Sequence, residues 1–336
     1  MWDMNETGAR ILVTGGAGYI GSHVVRLLRQ RGDHVVIVDD LSTGRIDRVA
    51  GVPFVLLDVS APGARERLVE VMLEHRVTHV VHFAAMKQVG ESMRQPTAYF
   101  DRNVGGLTNL LAAMRLVDCT QLVFSSSAAV YGDVDDTTVH EDAPLRPTNP
   151  YGQSKLVGEW MTANAAMADG FRVANLRYFN VAGTGWDDLA DEGRSNLVPI
   201  VVDAVDAGAL VPVFGTDWAT PDGTCVRDYI HVLDLATAHI AALDWLSSRR
   251  PGATAFNLGT GSGASVLDVV AAVGQASGRS ATATDAGRRA GDPAAVVADP
   301  TRAALLLGWH AEHDLADIAR SAWSARVRRL DAVLAA

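Results

Sequence analysis

Tyr151 and Lys155, in the run Tyr151-Gly-Gln-Ser-Lys155, stand four positions apart. On a helix that spacing places both side chains on one face. An ammonium beside a phenol favours the phenolate and draws the tyrosine pKa toward neutrality. The result is a general base for the proton of an alcohol. A surface pair on an amphipathic helix would share the spacing, so the company of the pair decides its meaning. Part of that company is Ser125-Ser126-Ser127, which follows the apolar run Leu122-Val123-Phe124. A hydroxyl there can hydrogen-bond a reacting oxygen. It can equally satisfy the backbone of a turn, and three serines allow both uses.

The other part is Thr14-Gly-Gly-Ala-Gly-Tyr-Ile-Gly21. It follows Ile11-Leu12-Val13 and opens the periodic segment Ser22 to Gln30, the strand, turn and helix context that gives such a motif meaning. Its glycines read as Gly16-x-Gly18-x-x-Gly21 or as Gly15-x-x-Gly18-x-x-Gly21. One allows a turn with positive φ. One lets the backbone approach a pyrophosphate, and the last lets the helix pack close to the strand. The helix N-terminus then offers N–H groups to phosphates. An ordinary tight turn would also hold glycine. This one is followed by a second apolar run, Val35 to Val38, ending at Asp39-Asp40. A carboxylate there, about 20 residues past the glycines, binds ribose hydroxyls. It also repels a 2′-phosphate, which favours NAD over NADP.

The elements that must position these residues alternate along the chain. Pro53 to Leu57, ending at Asp58, reads as a third strand, and Ala64 to His75 as a helix. Val77 to Phe83 is a fourth strand, Glu91 to Val117 is largely helical, and Leu122 to Phe124 is a fifth strand. A helix over Tyr151 to Ala168 and a sixth strand over Val173 to Leu176 follow. This is the pattern of an α/β, Rossmann-type doubly wound parallel sheet. Ligands of such sheets bind at the carboxyl ends of strands. Gly15 to Gly21, Asp39, Asp58, Ala84 to Lys87 and Ser125 to Ser127 all fall at such ends. After Val181 the chain changes character. Helical segments at Leu197–Ala207, Leu233–Leu246 and Val266–Ser277 are joined by Gly- and Pro-bearing pieces such as Val211–Phe214. The expected division is an NAD-binding Rossmann domain over 1–180 and a smaller C-terminal substrate-binding lobe over 181–336, with the chain free to cross.

The 336 residues are 48% hydrophobic and 20% charged, ordinary for a globular protein. A net charge of −10 argues against a nucleic-acid surface, while leaving room for a basic pocket around one small phosphate ligand. The two cysteines, Cys119 and Cys225, form no C-x-x-C, so no disulfide framework or cysteine metal site is implied and a reducing, cytoplasmic setting fits. The polar, acidic stretch Met1 to Arg10 is not a signal peptide, and no apolar run approaches a membrane span.

Taken together, several motifs carry a resemblance. They are Thr14 to Ser22, His82-Phe-Ala-Ala-Met-Lys87, Phe124-Ser-Ser-Ser-Ala-Ala-Val-Tyr-Gly-Asp133, Tyr151 to Lys155, Arg177-Tyr-Phe-Asn180 and Val226-Arg-Asp-Tyr-Ile-His-Val232. In these the chain resembles the UDP-glucose 4-epimerases of the extended short-chain dehydrogenase/reductase group, from about Arg10 to beyond Trp309. The resemblance implies tightly held NAD+, a UDP-sugar substrate and a homodimer. It implies a catalytic set of Tyr151, Lys155 and Ser127. Its cofactor contacts would be Gly15, Gly18, Tyr19, Ile20, Gly21, Asp39, Asp40, Asp58, Val59, Phe83, Ala84, Ala85, Lys87, Asn103, Ser125, Tyr151, Lys155 and Phe179. Its substrate contacts would be Lys87, Ser127, Tyr151, Asn180, Asn196, Leu197, Val213, Phe214, Arg227, Arg289, Asp292 and Val296. Arg227 and Arg289 are suited to a diphosphate by their forked donors, though each has an acidic neighbour, Asp228 or Asp292, with which it can pair instead. The chain departs from the family pattern at Ala129, where many members have threonine, and in the loop from Gly183 to Ser195.

The implied reaction is epimerisation at C4. Tyr151 takes the proton of the sugar 4-hydroxyl while C4 gives a hydride to NAD+, and the 4-keto sugar turns over before the hydride returns. A dehydratase or decarboxylase on the same fold needs an extra acid or base beside the serine, where this chain has Ala128 and Ala129. Asp39 disfavours an NADP-dependent reductase. A non-catalytic NAD-sensing regulator is expected to lack Tyr151 or Lys155. In the sugar pocket, Val296 replaces the bulky tyrosine of members restricted to plain hexoses, so N-acetylated UDP-hexoses are expected to fit. For the dimer, Leu110, Leu111, Met114, Trp160 and Met161 are expected to form a helical interface, unless they face their own sheet.

Overall fold

The computed structural model describes residues 8–134, 138–193, 196–288 and 293–334. The chain divides into two compact units. The first is Met1–Ser126, Asn149–Leu176 and His239–Ala255, and the second is Ser127–Thr148, Arg177–Ala238 and Phe256–Ala336.

A seven-stranded sheet organises the first unit. From edge to edge it runs Gly252–Leu258, Arg172–Tyr178, Gln121–Ser127, His79–His82, Arg10–Thr14, His34–Asp39 and Phe54–Leu56. Arg10–Thr14 pairs in parallel with both His34–Asp39 and His79–His82. The near-continuous apolar runs suit strands covered on both faces. Strand order reverses between Arg10–Thr14 and His79–His82, which opens a crevice at their carboxyl ends. There Thr14 and His82 are register partners, and the Thr14 hydroxyl lies 2.6 Å from His82 Nδ1. Burial pushes the His82 imidazole down to about 3, so it stays neutral and serves as a fastener.

Helices Ala64–Glu74 and Gly106–Leu116 cover one face over a core that includes Leu12, Val36, Leu68, Leu107, Leu122 and Phe124. Leu110 and Met114 belong to that core and are fully buried. The expectation that they form an interface is therefore corrected: they face their own sheet. The stretch from Glu91 to Val117, expected to be largely helical, is helical in successive pieces. Val89–Arg94 ends, Pro96–Tyr99 restarts, Phe100–Gly105 is a π-helical turn and Gly106–Leu116 completes the run. Pro96 explains the restart, since it has no N–H for a preceding turn but suits a helix start. The edge strand Gly252–Leu258 was not singled out in the sequence. Its first residues, Gly252-Ala-Thr-Ala, lack the bulky apolar run that marks the interior strands.

The second unit holds a smaller sheet of Gly263–Ser265, Val226–His231, Ala295–Ala298 and Thr138–Val139, with Asn180–Ala182 also on Val226–His231. Helices Leu197–Ala207, Val266–Ser277 and Leu315–Leu334 share a second core with Val201, Val205, Val269, Val273 and Ile318.

Candidate active site

The glycine turn joins the strand Arg10–Thr14 to the helix Tyr19–Arg31. Gly15 has φ 71°, and a Cβ there would stand 2.7 Å from the backbone nitrogen of Ala84. A Cβ on Gly21 would stand 2.3 Å from the Gly15 carbonyl oxygen. The turn is thus pressed against its own helix and against the Ala84–Lys87 loop. Gly18 caps the helix without any side-chain hydrogen bond, which leaves Tyr19, Ile20 and Gly21 as the first turn. First-turn N–H groups have no intrahelical partner.

Asp39 is buried, and its two oxygens accept the N–H groups of Ala17, at 2.9 Å, and Leu41, at 2.8 Å. Burial raises its pKa against those two hydrogen bonds. It ties the glycine turn to the end of the second strand. At Asp40 burial opposes the charge, but the Ser42 hydroxyl and N–H and the Arg102 guanidinium outweigh it and hold the carboxyl below the usual range. Asp58 accepts the N–H and hydroxyl of Ser60 at 2.9 and 2.7 Å. The backbone oxygen of Val59 is taken by Asn109 at 2.9 Å.

Tyr151 and Lys155 lie on the helix Pro150–Asp169, which Asn149 caps by accepting the Gly152 N–H at 2.9 Å. Lys155 is buried, and its Nζ donates to the Ser125 carbonyl at 2.8 Å. Burial pushes its pKa down to about 8. The Tyr151 ring meets the edge of Tyr99 with centroids 6.5 Å apart. Each serine of the run has its own use. Ser126 donates to Glu159 at 2.5 Å inside the core. Ser125 gives its carbonyl to Lys155, while its buried hydroxyl has no partner. Ser127 belongs to the second unit, where its oxygen accepts the Ala129 N–H at 3.2 Å.

Asn103, in the π-helical turn, is buried. Its Oδ1 accepts from Met86 N at 2.8 Å, and its Nδ2 donates to Met86 O and Ser154 Oγ at 3.0 and 2.9 Å. Ser154 in turn donates to the Tyr151 carbonyl at 2.7 Å. Asn103 therefore knots the Ala84–Lys87 loop to the helix of Tyr151, with both amide protons spent on protein. Phe83 in that loop packs on His239 at 4.8 Å, Ala84 and Ala85 are half-buried, and Lys87 is exposed.

In the second unit, strand register brings other residues together. Arg227 pairs with Val296, and Tyr229 pairs with Asn180, in parallel neighbours. Side chains alternate along a strand and register partners share a face. Asn180, Arg227, Tyr229 and Val296 therefore lie on one face of the small sheet. Val296 is a residue of the strand Ala295–Ala298, and it shares the face of Arg227. Arg227 is not paired with Asp228. That carboxylate is fully buried and accepts from Thr260 N and Oγ, Gly261 N and Ala298 N. Asn196 caps the helix Leu197–Ala207 and donates to Asp191 at 2.7 Å. Val213 ends a short strand, Phe214 follows it, and the Phe214 carbonyl accepts from Trp218 Nε1 at 3.2 Å. Phe179 is buried, and its N–H reaches the Leu258 carbonyl at 3.3 Å. Arg289 and Asp292 lie outside the described residues.

Residues 11–259 match the NAD dependent epimerase/dehydratase family. The chain belongs to that family. Similar curated proteins include a UDP-glucose 4-epimerase of Azospirillum brasilense, 46% identical over 96% of this chain and 94% of that protein. Similar solved structures include a UDP-glucose-4-epimerase from Stenotrophomonas maltophila with bound NAD and formylated UDP-arabinopyranose. It is 41% identical, with a TM-score of 0.91, over 96% of this chain and 99% of the other. A UDP-Glc/GlcNAc 4-epimerase from Campylobacter jejuni is 35% identical, with a TM-score of 0.82, over 96% and 100% of the two chains.

The residues present fit the dinucleotide expected of an epimerase/dehydratase. The Gly15 and Gly21 positions leave no room for side chains where a pyrophosphate would approach, and the Ser125 hydroxyl is a buried donor with no protein partner. Sequence reasoning missed Arg102, which pairs with Asp40 and Asp58, and Tyr229, which shares the face of Arg227. Tyr229 was legible as the residue two beyond Arg227 on a strand, since that spacing returns to the same face. Among the described residues, no three His, Cys, Asp or Glu side chains gather to hold a metal ion.

Proposed function

We propose that this chain is a UDP-glucose 4-epimerase that interconverts UDP-galactose and UDP-glucose with enzyme-held NAD+. The observation that carries the reading is the buried Lys155 one helical turn from Tyr151, beside the orphaned Ser125 hydroxyl, on a glycine-turn unit of this family. The relatives at 41–46% identity, named as UDP-glucose 4-epimerases, support the substrate. NAD+, when bound, would supply the acceptor, and then the donor, of the hydride at C4 of the sugar.

Tyr151 is the general base for the 4-hydroxyl. Lys155, charged, favours its phenolate. Ser127 accepts from Ala129 and so keeps its own O–H free to donate to the 4-oxygen. Arg227, with Arg289 and Asp292, is assigned the UDP group, and Asn180, Asn196, Leu197, Val213 and Phe214 the rest of the nucleotide sugar. A firm hold on UDP and a loose hold on the sugar let the 4-keto intermediate turn over. Ala128 and Ala129 carry no proton for elimination, which disfavours a dehydratase. Purified protein given UDP-galactose and no added cofactor is expected to form UDP-glucose. Failure with NAD+ also supplied overturns the reading.

Lys155 carries its charge below about 8 and loses it above. Turnover should therefore fall as pH rises through about 8. A kcat that stays level well into the alkaline range would remove the Lys155 charge from the mechanism.

Val296, buried on the face it shares with Arg227 and much smaller than tyrosine, supports acceptance of UDP-N-acetylhexosamines as well. Val296→Tyr should suppress that reaction and spare UDP-galactose. Equal loss of both would contradict the pocket assignment.

A homodimer is supported by Trp160 and Met167, 58% and 80% exposed on the helix Pro150–Asp169. With the half-buried Val157 they form an apolar stripe at helical spacing. Sedimentation at micromolar concentration should give twice 35.6 kDa, and Trp160→Glu should shift it toward a single chain. A single-chain species in wild type would exclude the dimer. No helix of the described residues is long and apolar enough to cross a membrane. Cys119 and Cys225, both buried and in no disulfide, support a cytoplasmic setting, which activity confined to a secreted fraction would contradict.

A further inference from the structure

Arg102 stands one residue before Asn103 in the π-helical turn Phe100–Gly105. Its Nη1 lies 3.1 Å from Asp40 Oδ2 and 2.8 Å from Asp58 Oδ2. Each carboxylate is aimed by its own loop. The other oxygen of Asp40 takes the N–H and hydroxyl of Ser42, at 2.9 and 2.6 Å. The other oxygen of Asp58 takes those of Ser60, at 2.9 and 2.7 Å. Two loops thus present one oxygen each to a single guanidinium, which is 43% exposed.

The placement of this bridge matters. In a doubly wound sheet the adenosine half of a dinucleotide lies over the first three strands, with the ribose at the acid ending the second. Asp39 is that acid, so the purine falls farther out, toward the end of the third strand. Asp40 follows the second strand and Asp58 lies just past the third. Arg102 spans the gap between them. Carboxylates engage a guanidinium along its N–H edge and leave its flat faces for stacking on an aromatic ring.

We propose that Arg102 is a cofactor-binding residue whose guanidinium, bridged between Asp40 and Asp58, forms a wall of the adenosine site on which the purine stacks. The inference rests on the NAD+ reading above. The same bridge commits the cation to two carboxylates and withholds it from a 2′-phosphate, so it works with Asp39 in selecting NAD+.

Wild type, Arg102→Leu and Arg102→Lys are compared, as full chains, for the Kd of NAD+ and the Kd of UDP. Both variants should bind NAD+ roughly tenfold more weakly, the size of a cation stacked on a ring. UDP affinity should not change. Lysine keeps the charge and lacks the plane, so wild-type affinity in Arg102→Lys would overturn stacking. Unchanged NAD+ affinity in Arg102→Leu would overturn the inference outright. Parallel loss of UDP affinity would reduce Arg102 to general structural support. Wild type that carries and binds no NAD+ would instead overturn the cofactor reading, and this inference with it.

Discussion

Tyr151→Phe should retain NAD+ and UDP and lose about 10²–10⁴-fold in turnover, the contribution typical of a general base. The substitution keeps the ring that Tyr99 meets edge-on, at 6.5 Å between centroids, and so leaves the packing intact. It also keeps the Tyr151 carbonyl, which receives Ser154 and through it the knot to Asn103 and Met86. Only the oxygen that takes the proton is gone. Stopped-flow or coupled assay of UDP-galactose conversion gives the turnover, and the cofactor released on denaturation gives the NAD+ content. Turnover within a factor of a few of wild type would exclude Tyr151 as the base. Loss of NAD+ along with turnover would point to damage in the cofactor site.

Gly21→Ala should produce a protein that holds little NAD+ and unfolds at lower temperature. The added methyl would stand 2.3 Å from the Gly15 carbonyl oxygen and 2.9 Å from the Gly16 Cα. Both are backbone atoms and cannot swing aside as a side chain does. Nor can the turn retreat. Gly15 N donates to the Val38 carbonyl at 2.8 Å, and Ala17 N is held by Asp39 at 2.9 Å. Overpacking of this kind costs about 1–3 kcal/mol, and here it falls on the groups that would meet the pyrophosphate. The thermal midpoint and the NAD+ content per chain are the two measurements. A variant with normal content and an unchanged midpoint would show that the turn yields, and would weaken the assignment of the phosphate site.

The fold was legible where one residue's requirement is strict. Gly15 and Gly21 sit where added carbons would collide with backbone, and the parallel sheet follows from apolar runs too long to leave a face in water. The Tyr151 and Lys155 spacing needs only a helix to acquire meaning. Legibility failed where the answer depends on what packs from elsewhere. Leu110 and Met114 look like any exposed apolar pair until the sheet behind them is known. Arg102 carries no signal in its own neighbourhood, because its partners Asp40 and Asp58 are remote in sequence. The three serines could not be told apart from composition. Their separate duties follow from Glu159, Lys155 and Ala129, each contributed by a different local geometry.

The interleaving of the two units has a consequence for biosynthesis. The strand Gly252–Leu258 lies beyond Arg172–Tyr178 at the margin of the large sheet, and His239–Ala255 belongs to the first unit. A ribosome that has released only the first 180 residues has therefore delivered a sheet whose outer strand still offers bare N–H and C=O groups. Such a margin is a template for pairing with another nascent chain. The first unit cannot be made complete by cutting the gene near its midpoint. Its last strand arrives only after much of the second unit has been translated, so its sheet is completed late in synthesis.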